Sequence, residues 1–364
     1  MTLTSTLGPV RSTTPRIAGS NPISSFTELL ASVRTANLLR RSRLFYWSVF
    51  GSLVVALGGA ITGFLLLGDS WLQLLIAGAL GIIFTQFAFL GHEASHRQVF
   101  ESGRTNDRVG RALVAGFVGM SYSWWMTKHT RHHANPNTMG KDPDIGLDTI
   151  SFVEEDAASA RGLRALITRH QGALFFPLLA FEGVNLHIKS IGHVFGRGKV
   201  DGRALEIVLI LGRLALVAAA IFAVLPLGLA FAFLGVQLAV FGIYLGASFA
   251  PNHIGMPIIP EGTKTDFLRK QVLTSRNIRG GAWMTALMGG LNYQVEHHLF
   301  PSMARPQLRA ARRLVREVCA EQGIKYTETD LGQAYVQVLQ YLNRVGIYAG
   351  ASFDCPVAAD YRRY

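Results

Sequence analysis

The sequence has 364 residues, 49% hydrophobic and only 16% charged, and a mean hydropathy of +0.28, which is too apolar for an ordinary soluble domain and points to a membrane protein. Its formal charge of +12 would suit nucleic acid, but the basic residues flank apolar runs in a pattern that membrane topology explains, so no nucleic-acid partner is expected. Its two cysteines, Cys319 and Cys355, form no CxxC pair, which argues against a disulfide framework or a thiolate metal site.

In chain order, residues 1–44 open with a Ser-, Thr- and Pro-rich stretch that has no apolar core behind a basic start. This predicts a loose cytosolic tail rather than a cleaved signal peptide. Arg34, Arg40, Arg41 and Arg43 then precede an apolar run, 45–67, close to the ~20 residues a helix needs to cross a bilayer core. After the turn Gly68-Asp69-Ser70, a second run, 71–90, returns and delivers His92 and His96 to the starting side. Residues 97–131 are rich in Arg and Lys, which places them in the cytosol. Within them 109–126 reads as a helix at the membrane interface, with Trp124 and Trp125 at headgroup level. His129, His132 and His133 follow, and Asn135-Pro136-Asn137 ends that helix. The apolar piece 173–180, interrupted by Pro177, is too short to span and is expected to dip into the interface. His170, His187 and His193, among Arg and Lys, read as hydrogen-bonded or interfacial rather than ligating.

A second apolar pair, 207–225 and 227–249, turns at Pro226, and Arg213 within it snorkels toward the cytosolic end. His253 follows, and Gln294, His297 and His298 lie further on. Residues 306–322 form an amphipathic helix ended by Gly323, whose basic face suits anionic lipid, an acidic electron carrier or simple cytosolic packing. Residues 324–364 read as a cytosolic tail. The expected fold is all-α and integral to the membrane: a domain over 45–323 with four transmembrane helices in two hairpins, a cytosolic helical cap and both termini in the cytoplasm.

Three clusters carry the chemistry: His92/His96, His129/His132/His133 and Gln294/His297/His298. Spacings of three and four put such side chains on one helix face. With His253 they take up eight of the eleven histidines, and the topology sets all of them on the cytoplasmic face. Eight imidazoles and one amide exceed the ligands of a single zinc and suit two metals with open positions. Imidazole alone does not choose among Fe, Zn, Cu and Ni.

The ordered pattern His-x-x-x-His, His-x-x-His-His and Gln-x-x-His-His followed by Leu299-Phe300-Pro301 resembles the membrane fatty acid desaturases over 45–323. Gln294, where many members have histidine, resembles the front-end desaturases, which work between an existing double bond and the carboxyl end. The resemblance implies a centre of two Fe ions held by His92, His96, His129, His132, His133, His253, His297 and His298, with Gln294 as a further possible ligand. It also implies O2 as co-substrate, a fatty acyl-CoA or acyl-lipid substrate, and no catalytic nucleophile apart from the metal centre. Front-end enzymes of eukaryotes often carry a fused cytochrome b5 domain, but no His-Pro-Gly-Gly occurs here. A separate electron donor is expected: a ferredoxin, cytochrome b5 or a reductase.

Glu93, Asp142, Asp144 and Glu296 either orient ligating imidazoles or serve as solvated or capping groups. Rival readings are a di-iron lipid or alkane hydroxylase, a carotenoid ketolase, a membrane haem or metal carrier, and an intramembrane zinc protease using His92-Glu93-Ala94-Ser95-His96.

Overall fold

A computed structural model describes residues 22–349. Within them the chain is mostly helical. Helix α1 (Pro22–Thr35) precedes the apolar hairpin of α2 (Arg43–Leu67) and α3 (Gln73–Ser95). Next come α4 (Gly103–Arg111), a π-helical turn (Ala112–Val118) and α5 (Tyr122–Ala134), then the short α6 (Glu154–Ser159) and α7 (Gly162–Arg169), and the long α8 (Gln171–Phe195). A second hairpin, α9 (Arg203–Val224) and α10 (Leu227–His253), is followed by α11 (Phe267–Leu273), α12 (Ala282–Leu287), α13 (Gln294–Leu299), α14 (Arg305–Glu321) and α15 (Leu331–Gly346). Two-residue strands β1 (Asn277–Ile278) and β2 (Glu328–Thr329) pair in parallel.

Five of these helices, α2, α3, α8, α9 and α10, are long and apolar enough to cross a membrane. Four of them overlap the runs expected from hydropathy. Helix α3 is enclosed between α2 and α10, whereas α2 exposes Leu44, Val55, Leu65 and Leu66, an apolar surface of the kind that faces lipid.

The fifth helix corrects the expectation for 173–180. Its apolar face runs on through the exposed Phe181, Val184, Ile188 and Phe195, but Glu182, Asn185 and Lys189 lie between them in sequence and lower the local hydropathy. Pro177 sits inside the helix, where its missing N–H costs one backbone bond. Packing on α10 offsets that cost. The two helices meet at Gly183 and Gly242, where a side-chain carbon on either would collide with the backbone of the other helix: the carbonyl of Leu238 for Gly183, that of Leu179 for Gly242. Gly183→Leu should therefore destabilise the protein by more than the ~1–3 kcal/mol of ordinary core overpacking. Thermal unfolding in detergent checks this, and an unchanged midpoint would contradict the crossing.

The expected single helix over 109–126 is also replaced. Helix α4 passes into the π-turn, the chain reverses at Gly119 (φ 91), and Ser121 caps a new helix by accepting from the Trp124 N–H at 3.0 Å. Glu206 secures the break from α9, accepting from Ser121 Oγ at 2.5 Å and from Ser123 Oγ at 2.6 Å.

Neither flanking segment is a tail where it is described. Helix α1 buries Leu29 and Val33 among side chains of α11 and α14. Helix α15 packs Val338 and Leu342 against Phe175 and Leu179 of α8. In both, helical periodicity supplies an apolar stripe inside a polar average. Residues 1–21 and 350–364, with Cys355, lie outside the described residues. The amphipathic helix expected at 306–322 is present as α14.

Candidate metal centre

Four helix ends deliver the histidines. His92 lies in the last turn of α3 and His96 caps it. His129, His132 and His133 occupy the last two turns of α5. His253 is the final residue of α10. Gln294, His297 and His298 lie on α13, which is reached through Gly289 and Gly290, both at positive φ (57 and 86). Glycine is required at the first of these by more than backbone freedom, since a side-chain carbon on Gly289 would enter the Phe89 ring.

The eight rings form two adjoining sets. In the first, one ligand atom each from His92, His96, His129, His133 and His297 lies within 4.8 Å of all the others. His129 Nε2 is the hub, 3.0 Å from His92 Nε2, 2.8 Å from His96 Nε2 and 3.0 Å from His133 Nε2. A neutral ring nitrogen is either one donor or one acceptor, so hydrogen bonding does not satisfy three such approaches. A cation among the lone pairs does. In the second set, His132, His253 and His298 converge in the same way. The sets touch where the His133 and His298 rings stack at 4.2 Å.

The second set shows which nitrogen each ring offers. His132 Nδ1 donates to Asp142, 3.0 Å from Oδ2, and lies 3.2 Å from Asp144 Oδ2. His253 Nδ1 donates to the Thr274 carbonyl at 2.9 Å, and His298 Nδ1 to Gln271 Oε1 at 2.9 Å. Each bond fixes a tautomer whose Nε2 carries the lone pair, as metal-ligating histidines require. Among the described residues, His297 Nε2 and His298 Nε2 are buried without any hydrogen-bond partner. The donor set therefore fits a pair of metal ions held by imidazole. Charge agrees with geometry at five of the rings, while at His132 burial is outweighed by Asp144 and Asp142, which raise its pKa. Burial first, then neighbouring imidazoles, hold His129, His133, His297 and His298 well below the usual histidine range. Burial and His132 bring His96 down to about 3. Neutral rings are the form that binds metal.

Gln294 reaches the second set with its amide nitrogen, Nε2 lying 2.9 Å from His253 Nε2, while its Oε1 accepts from Asn252 Nδ2 at 3.2 Å. The side chain thus reaches the centre through its amide group.

The acidic residues divide. Asp142 and Asp144 hold His132, and Asp142 is itself fixed by the backbone N–H groups of Asn137 at 2.7 Å and Asp144 at 2.9 Å. Among the described residues, neither Glu93 nor Glu296 hydrogen-bonds to an imidazole. Glu93 forms a buried ion pair with Arg305, so it is committed elsewhere and unavailable as the general base of a zinc protease. Glu296 accepts from Asn277 Nδ2 at 2.7 Å and from the Tyr326 hydroxyl at 2.8 Å, and burial pushes its carboxyl up to about 7. His187 bonds to backbone carbonyls of Gly183 and Val118, and neither it, His170 nor His193 joins the cluster.

Sequence reasoning missed Gln271, which bridges the His298 ring and the His133 carbonyl, and misplaced Trp125. That indole stacks on His129 at 4.6 Å and, with Phe89, Val114, Met120, Leu245 and Phe249, lines a narrow apolar cleft ending at His92. The signal was available: Trp125 and His129 are four residues apart and share a helix face.

The fatty acid desaturase family model matches residues 69–330. The chain is similar to a Delta(8)-fatty-acid desaturase of Helianthus annuus, 29% identical over 80% of this chain and 67% of the relative. It is also similar to a Delta(6)-fatty-acid desaturase of Caenorhabditis elegans, 29% identical over 73% of this chain and 63% of the relative. An acyl-lipid (9-3)-desaturase of Physcomitrium patens is 27% identical over 89% of this chain and 63% of the relative. The chain thus spans about two thirds of the length of these relatives. With a family model covering most of the chain and a histidine cluster suited to metal, this membrane protein belongs to the fatty acid desaturase family.

Proposed function

We propose that this protein is an O2-dependent desaturase that introduces a double bond into a fatty acyl chain, using two irons held by the eight clustered histidines. The observation that carries the reading is the pair of adjoining imidazole sets, the first of them bordered at His92 by an apolar cleft. When bound, the irons would supply the reduction of O2 and the removal of hydrogen from an unactivated methylene pair. The protein's part is placement. Asp142, Thr274 and Gln271 fix ring tautomers, and Gln294 lies against His253 Nε2. Trp125 stacks on His129 and walls the cleft beside His92, which an acyl chain must widen to enter.

The names of the relatives support front-end regiospecificity, with the acyl group carried on CoA or a lipid. We place both termini and the histidines on the cytoplasmic side, with α2, α3, α9 and α10, four of the five helices long and apolar enough to cross, spanning as two hairpins. A ferredoxin, cytochrome b5 or reductase would supply electrons.

The test is the lipid profile of cells expressing the protein, with iron analysis of the purified chain. A new double bond and bound iron support the reading. A hydroxylated product would move it to the related hydroxylases, and zinc without a new lipid would end it. The cleft has free space for about one water, some 10 Å³, so bulk added to its wall should shut out substrate. Leu245→Trp, in the wall shared with His92, should lower product formation about tenfold or more, since overpacking of ~1–3 kcal/mol falls on the cleft, and iron content measured alongside separates a blocked cleft from a displaced His92. Undiminished desaturation would show that the acyl chain lies elsewhere.

A further inference from the structure

We propose that the exposed arginine stripe of α14 is the docking surface for an acidic one-electron carrier protein, an inference that rests on the desaturase reading above. Arg309, Arg313 and Arg316 are all exposed, and at about 100° per residue they fall within about 60° of one another on the helix. Arg312 flanks them, tied to Glu328 at 2.5 Å, and Arg316 lies 4.0 Å from the same carboxylate. The opposite face of α14 buries Leu308, Ala311, Val315 and Cys319 against Val295, Leu299 and Phe300. Those partners lie on or next to α13, the helix that carries His297 and His298. One helix therefore separates the stripe from the metal-binding imidazoles, and packed helices lie about 8–10 Å apart.

The occupant follows from chemistry. An acyl –CH2–CH2– unit, one O2, two electrons and two protons give –CH=CH– and two waters. The acyl chain yields two of the four electrons that O2 takes up, so a one-electron carrier must dock and discharge twice per double bond. Planar guanidinium groups pair with carboxylates, and a predominantly basic stripe, with Glu317 at its edge, steers an acidic partner to the surface. Lipid suits the stripe less well. A helix resting on a bilayer inserts large apolar side chains, yet α14 exposes none, whereas α2, α8 and α9 expose many.

The test uses the full-length, iron-loaded protein in nanodiscs, with a soluble acidic ferredoxin and the soluble haem domain of cytochrome b5 as probes. The triple variants Arg309→Glu/Arg313→Glu/Arg316→Glu and Arg309→Lys/Arg313→Lys/Arg316→Lys are compared with the unaltered chain over a salt series. Charge reversal should raise the carrier concentration for half-maximal turnover roughly tenfold or more at low salt, within the range that steering supplies. The gap should close as salt rises, and the lysine variant should stay near the unaltered chain. One turnover driven by dithionite should be equal in all three.

Carrier dependence that does not change on charge reversal overturns the proposal. So does turnover of the unaltered chain with neither probe. An unchanged carrier response with lost binding to phosphatidylglycerol vesicles assigns the stripe to lipid instead. If dithionite yields no double bond with the unaltered chain, the desaturase reading itself fails, and that outcome is distinct from a failure of docking.

Discussion

His129→Ala should abolish double-bond formation and strip metal from the five-histidine set. Its Nε2 is the one atom within 3.0 Å of three other ligand nitrogens, so removing it opens the middle of the set rather than its edge. Loss of an outer hydrogen-bond partner of a ligand typically costs about 10–100-fold in affinity or activity, and loss of the hub should exceed that. The alanine also leaves a hole beside Trp125, so His129→Gln, which keeps most of the volume, separates packing from ligation. Both variants should lose iron and product, and His129→Gln should keep the thermal midpoint closer to that of the unaltered chain. Iron analysis, lipid profiling and thermal unfolding check the three expectations. Desaturation retained in either variant would remove the proposed centre.

What the sequence made visible was whatever repeats at short range. Three- and four-residue spacings grouped His92 with His96 and His129 with His133, and alternating runs of apolar and basic residues placed the ends of α3 and α10 close to where they are. Convergence then followed from topology, because each cluster sits at a helix end. Asp142 was within reach of the same logic, ten residues beyond the ring that it holds. The misses have a common physical origin in pairings between segments far apart in the chain. Glu93 lies between two histidines of one motif, which suggested a role toward them. Its partner is Arg305, 212 residues away, and no local pattern announces that contact. Gln271 and Thr274 hold ligating rings from a short helix with no motif of its own. Helices α1, α8 and α15 were misread because averaging over a window hides an apolar stripe interleaved with polar residues, although helical periodicity would have exposed it.

Outside the histidines, the largest expected effect is that of Arg305→Met. Arg305 meets Glu93 through two bonds, Nε to Oε1 at 2.7 Å and an η-nitrogen to Oε2 at 2.5 Å, with side chains only 4% and 2% exposed. The Tyr46 hydroxyl completes the knot, accepting from the Arg305 backbone N–H at 3.1 Å and lying 3.0 Å from Gln98 Oε1. Removing the guanidinium leaves a carboxylate buried without its counter-ion, a loss of about 3–5 kcal/mol. Glu93→Leu should cost a comparable amount by stranding the arginine. The double variant, which buries no charge, should recover most of the stability, because replacing a buried pair with apolar side chains is often neutral. A double-mutant cycle on thermal unfolding measures the coupling, and simple addition of the two losses would deny that the pair acts as a unit. Function should follow the same cycle. Glu93 sits between His92 and His96 on α3, and Arg305 begins α14, the helix packed on α13. The pair therefore sets the distance between histidines delivered by opposite ends of the chain. Iron content should fall in each single variant and return in the double one. Stability that returns without iron would mean that the charge itself, rather than the spacing it enforces, keeps the two histidine segments in register.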